Sequence, residues 1–118
     1  MAIYHCHCQV ISRGQGRSAV AAAAYRSGEK ITNSYDGVTH DYRKKKGIVY
    51  KEIMLCENAP EEWKDRALFW NNIEQAERDT AARLAREFEI ALPVELSTEE
   101  QIDFVRAFVH ENFVNIGM

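Results

Sequence analysis

The chain has 118 residues, 46% hydrophobic and 28% charged, with a formal net charge of −3. This balance suits one globular domain, residues 1–118, and excludes a disordered or fibrous chain. The absence of any apolar run of about 18 residues excludes a transmembrane helix, and the N-terminus has no signal-peptide pattern.

Residues 2–11 (AIYHCHCQVI) are rich in β-branched and aromatic types and predict a strand. Arg13-Gly14-Gln15-Gly16-Arg17 is a glycine loop, and Ser18 is a fitting N-cap for a helix that Gly28 ends. Residues 29–46 have turn chemistry at Asn33-Ser34 and Asp36-Gly37 with little periodicity, which predicts a long, mobile loop. Residues 48–55 (IVYKEIML) predict a second strand. Asn58 and Pro60 open a predicted helix over 61–78, with Trp63, Ala67, Trp70 and Ile73 along one side and Thr80 to Arg83 as an extension. Residues 86–92 predict a third strand, stopped by Pro93. Ser97-Thr-Glu-Glu100 is a capping box. It starts a last helix whose expected buried face is Ile102, Val105, Val109 and Phe113, widened by Phe108. The expected fold is α+β, with helices packed on one or both faces of a small sheet.

Cys6, Cys8 and Cys56 are odd in number, and the first two are two apart on one strand. A reduced, cytoplasmic protein is the expectation. Charge is unevenly spread. Residues 1–59 carry nine basic and five acidic side chains, and residues 60–118 carry six and thirteen. A DNA-facing front and an acidic back give this pattern, and so does an acidic helical surface.

In the stretch Ser18-Ala-Val-Ala-Ala-Ala-Ala-Tyr25-Arg26-Ser27-Gly28, positions 18, 21, 22 and 25 share a helix face. Small neighbours let the phenol stand clear and let a phosphate backbone come close. Arg13, Arg17 and Arg26 add positive charge. A tightly packed helix with Tyr25 as a core anchor fits the same residues. A free tyrosine is mostly protonated at neutral pH, so attack on phosphorus needs a base or local cations, and the non-bridging oxygens need a metal or arginines.

His5 and His7 point to one side of the first strand, and Cys6 and Cys8 to the other, so the four cannot converge on one tetrahedral metal. His5 and His7 remain weak metal candidates, alone or with a carboxylate. Glu87 and Glu89 share a strand face and are candidates to orient a ligand or accept the tyrosine proton, set against a plain solvated face. Arg43-Lys44-Lys45-Lys46 is the densest basic run. It suits single-stranded DNA, with Tyr35 and Tyr42 as stacking platforms, or a solvated loop.

Met1-Ala-Ile-Tyr-His, the stretch from Ser18 to Gly28, Arg86-Glu-Phe-Glu-Ile-Ala-Leu-Pro93, and Glu111-Asn-Phe-Val114 with Gly117-Met118 resemble the MobA/MobL family of plasmid-mobilisation relaxases, in the same order along the chain. The resemblance implies a relaxase-like fold with a small, mainly antiparallel sheet, as part of a relaxase domain that nicks one strand at a transfer origin through a 5′-phosphotyrosyl link. Tyr25 matches the family nucleophile. It also implies single-stranded DNA and other mobilisation proteins as partners. The cofactor implied is a divalent ion, magnesium or manganese, on three histidines. Those histidines belong to the region after position 118, so the present chain is expected to be inactive alone. Rival readings are a non-catalytic single-stranded DNA-binding module, a rolling-circle replication initiator and an inactive remnant.

Overall fold

The computed structural model describes residues 6–117. His5 and the Met1-Ala-Ile-Tyr-His motif lie outside them. The first strand, β1, is described over Cys6–Ser12. A 3₁₀ turn, Arg13–Gln15, leads into helix α1, Ala19–Ser27. The Ser18 side chain accepts from the Ala21 amide, and Gly28 closes the helix at φ 68°. That left-handed conformation suits glycine, and a Cβ there would come 2.5 Å from the Ile48 side chain.

The expected long loop instead contains a hairpin. Strands β2, Lys30–Thr32, and β3, Thr39–Asp41, pair antiparallel. Asn33 and Gly37 close the turn through a 2.7 Å backbone hydrogen bond, and the hydroxyls of Thr32 and Thr39 meet across the strands at 2.8 Å. The strands are too short for an alternating pattern to stand out in the sequence.

Residues 48–55, expected to be a strand, follow an irregular path. They have the composition of a strand, but a ladder also needs a neighbouring edge, and none pairs with them among the described residues. Side chains fix the segment instead. Lys51 Nζ donates to the Ser27 carbonyl, and Arg106 pairs with Glu52.

The single helix expected over 61–78 is divided at Asp65 into a 3₁₀ turn, Glu61–Lys64, and helix α2, Arg66–Ala76. The Asp65 carboxylate accepts from the Leu68 amide and so caps a new start. Residues 80–83 do not extend the helix. Strand β4 begins there and runs Arg83–Ile90, three residues earlier at its start than expected. β1 and β4 pair antiparallel, with His7 opposite Glu89, Gln9 opposite Glu87 and Ile11 opposite Ala85.

Helix α3, Thr98–Asn112, carries the expected capping box, with Ser97 and Glu100 bonded reciprocally. Its apolar face is not buried as expected. No α3 residue is buried, and on the expected face Val105 is 39% and Phe108 37% exposed. The sequence period tells which face is apolar, and not whether a neighbour covers it. The ring of Phe113 reaches Phe88 at 5.4 Å, and an open cleft of about 1070 Å³ lies between α3, β4, α1 and the 48–55 segment.

The core is small and centred on α1. Ala19 packs with Ala82 and Leu84, and Val20 and Ala24 pack with Ile31. Trp70 of α2 touches both groups. Alanines let the helix come close to its neighbours. The whole is α+β and antiparallel, as expected, but the described residues form two small sheets in place of one.

Candidate active site

The N-terminal end of α1 is held by Glu74, which is 1% exposed. One carboxylate oxygen accepts from Ser18 Oγ at 2.7 Å and from the Ala19 amide at 2.8 Å. The other pairs with Arg13 at 3.0 Å. Burial pushes the Glu74 carboxyl up, but the donors from Ser18, Arg13 and the two amides outweigh it and hold its pKa below the ordinary value. Asn33 joins the network by donating to Ser18 Oγ at 3.1 Å. A buried carboxylate thus occupies the amides that an incoming phosphate would otherwise use.

Arg13 belongs to this scaffold. Its guanidinium also donates to the carbonyls of Glu74, Glu77 and Asp79, closing the C-terminal end of α2, and lies 3.8 Å from the Tyr35 ring centroid. Its side chain is only 10% exposed. The expected role in DNA binding does not fit that position, because both terminal nitrogens are spent inside the protein and Nε, which has no partner among the described residues, is buried.

Tyr25 stands at the other end of α1. It is 46% exposed, so the core-anchor alternative fails, and Val20, Ala24 and Ser27 form the buried stripe instead. The Tyr42 and Tyr25 rings meet in a T-shaped arrangement, with centroids 5.2 Å apart. Lys45 Nζ lies 3.6 Å from the Tyr25 ring centroid and donates to the Tyr25 carbonyl at 2.8 Å. The Arg26 guanidinium is 5.6 Å from the same ring. Among the described residues no group forms a hydrogen bond with the Tyr25 hydroxyl.

Arg26 links the helix to the sheet. Its Nε donates to Glu87 at 3.1 Å, and its terminal nitrogen lies 3.5 Å from Glu89. Arg17 approaches Glu87 at 3.8 Å, and Gln9 donates to Glu87 at 2.6 Å. The bond from Arg26 lowers the Glu87 carboxyl below its ordinary value against an opposing effect of burial, and it raises the Arg26 guanidinium further. A carboxylate so held is a weak base, and here it anchors Arg26 beside Tyr25.

The strand register puts His7, Gln9, Glu87 and Glu89 on one face. His7 and Glu89 are both exposed there. The described residues do not by themselves fit a divalent ion. No three His, Cys, Asp or Glu side chains converge among them, and Glu87 is committed to Arg26 and Gln9. Cys6, Cys8 and Cys56 carry free thiols.

The basic run is divided by the fold. Arg43 folds back on Asp41 at 2.8 Å, which holds that carboxyl down at about 2 through the hydrogen bonds from Arg43. Lys45 turns to Tyr25, while Lys44 and Lys46 are exposed. Sequence reasoning missed Glu74 as part of the site, and it offered Tyr42 as a stacking platform without its contact to Tyr25. Glu74 had one visible signal: it follows Ala67 and Trp70 at helical spacing, so it is a charge on an apolar stripe.

The fold and site define an α+β domain that presents one tyrosine among cationic side chains at the end of an alanine helix. The MobA/MobL family model matches residues 17–118, and the chain belongs to that family. It is 40% identical to the conjugal transfer protein TraA of Rhizobium radiobacter over all of the chain and 12% of that protein. It is 46% identical to the mobilization protein MobL of Acidithiobacillus ferridurans over 86% of the chain and 26% of that protein. The probable mobilization protein MobA of Bifidobacterium longum is 32% identical over 95% of the chain and 20% of its own length. A solved chain from work on the molecular basis of vancomycin resistance transfer in Staphylococcus aureus superposes with a TM-score of 0.88 at 32% identity, covering 93% of this chain and 56% of that one. The chain therefore spans between about an eighth and a quarter of these curated relatives. Among the described residues no helix is long and apolar enough to cross a membrane.

Proposed function

We propose that this chain is the tyrosine-bearing part of a DNA relaxase that nicks one strand at a plasmid transfer origin for conjugative mobilisation, with Tyr25 as the nucleophile. Family membership supports the setting, since the relatives are named for conjugal transfer and mobilisation. The observation that carries the chemistry is Tyr25 itself: an exposed phenol on a helix of small residues, with Lys45 and Arg26 beside its ring.

In the proposed step the phenol oxygen forms a bond to phosphorus and the bond from phosphorus to the 3′ oxygen breaks. The phenol gives up its proton and the leaving 3′ oxygen gains one. The products are a 5′-phosphotyrosyl link and a free 3′-hydroxyl. One phosphoester replaces another, so the reverse step rejoins the strand. Arg26, oriented by Glu87, places positive charge where the attacked phosphate accumulates negative charge. Arg17 and the exposed Lys44 and Lys46 would hold the strand through its phosphates.

The family resemblance implies a divalent ion on three histidines. The described residues do not complete such a site, so no step here is assigned to it. The 118-residue chain alone is expected not to nick.

The test is made in the full-length protein, with an oligonucleotide spanning the transfer origin of its own plasmid. Tyr25→Phe removes the hydroxyl and keeps the ring, so stability should change by less than about 0.5 kcal/mol while the covalent adduct disappears. An adduct that persists in this variant, at Tyr35 or Tyr42, overturns the assignment.

A further inference from the structure

The Arg43-Lys44-Lys45-Lys46 run is not one surface. Lys45 alone turns inward, and it makes two contacts with the same residue. Its ammonium lies 3.6 Å from the Tyr25 ring centroid and donates to the Tyr25 carbonyl at 2.8 Å. Tyr42 supports the arrangement twice. Its carbonyl accepts from the Lys45 amide at 3.0 Å, and its ring lies 5.2 Å from Tyr25 at 87° to it. The turn itself is tied to the end of α1, because the Tyr42 amide donates to the Glu29 carbonyl at 3.1 Å.

We propose that Lys45 is a positioning residue for the Tyr25 nucleophile, holding the phenol ring in its attacking orientation from the face while Tyr42 packs against it at right angles. This rests on the reading of Tyr25 as nucleophile. The ammonium lies over the ring and not at the hydroxyl, so it leaves the oxygen free to approach phosphorus. The carbonyl bond fixes where the ammonium sits, and the cation–π contact then restricts the ring. An exposed phenol at the end of a helix would otherwise sample several rotamers, and each unproductive one lowers the rate of attack.

The account separates orientation from DNA affinity. A cation–π contact at a partly exposed site is worth roughly a two- to fivefold change in rate. The test compares Lys45→Met, which keeps the stem and removes the charge, with Lys45→Arg, which keeps the charge. Single-turnover adduct formation is measured in the full-length protein with saturating transfer-origin oligonucleotide, and the oligonucleotide Kd is measured separately. Lys45→Met should slow the saturated rate about fivefold with the Kd within twofold of wild type. Lys45→Arg should recover most of the loss. An unchanged saturated rate in Lys45→Met, or a loss confined to Kd, overturns the proposal and makes Lys45 a phosphate contact. Equal loss in Lys45→Arg and Lys45→Met also overturns it. Absence of adduct in the wild type, or its survival in Tyr25→Phe, is a different result. It removes the nucleophile reading itself.

Discussion

At the scale of single residues, Glu74 is the one on which the site depends most. Its charge is buried and satisfied by Ser18, Arg13 and two backbone amides, so it joins α2 to the start of the helix that carries Tyr25. Removing one partner of a buried, hydrogen-bonded pair leaves the others unsatisfied. Glu74→Gln should therefore cost about 3 kcal/mol at pH 7, measured by chemical denaturation. The folded carboxyl has a lowered pKa, so its contribution is complete above the unfolded value of about 4.3 and disappears as pH falls through the folded value. The stability gap between wild type and variant should therefore narrow as pH drops below about 4. A gap constant from neutral to acid pH would show that the charge on Glu74 is not what matters. Tyr25 and Arg26 were legible as candidate site residues because the alanines around them leave little else for chemistry. Lys45 was legible only as a cation, since its partner is twenty positions away and the turn between them is invisible to periodicity.

At the scale of elements, the C-terminal end of α1 is built by contacts from distant segments. Lys45 and Lys51 donate to the carbonyls of Tyr25 and Ser27, where the helix end favours cations. Gly28 allows the chain to leave at positive φ with Ile48 packed against it. Gly28→Ala should cost about 1–2 kcal/mol from the backbone alone, with a further loss as Ile48 shifts. Equilibrium denaturation checks this, and an unchanged midpoint would contradict it. Capping signals gave reliable element starts: Ser18 and Ser97 are both N-caps in the structure. Asp65 is also an N-cap, and it divides what reads as one helix because the apolar spacing runs across it unbroken. Strand composition at 48–55 misled for a related reason, as a strand exists only when an edge is available to pair with it.

At the scale of the whole molecule, the sequence halves differ in charge, but the fold removes several cations from service. Arg13 is internal, Arg43 is paired with Asp41 and Lys45 is turned to Tyr25. Two exposed lysines of the basic run, Lys44 and Lys46, remain for the phosphate backbone. Each contact to a single strand contributes a slope of about −0.7 in log K against log salt, so neutralising both should flatten the slope by about 1.4. A salt titration of single-stranded DNA binding by the full-length protein would show this, and an unchanged slope would mean that neither lysine meets the strand. The α+β class was legible from the order and type of elements, and the antiparallel pairing from the family resemblance. The incomplete burial of α3 was not, because the sequence reveals an apolar face without revealing its neighbour.

The central claim, that Tyr25 attacks DNA, is tested most directly by locating the covalent bond. Trypsin cuts after Arg17 and Arg26, and the peptide between them, residues 18–26, holds Tyr25 as its only tyrosine. Tyr35 and Tyr42 fall together in a separate peptide, residues 31–43. Mass spectrometry of the nuclease-trimmed, trypsin-digested adduct of the full-length protein should find the nucleotide mass on residues 18–26. A nucleotide mass on residues 31–43, or on any other peptide with residues 18–26 unmodified, would contradict the account.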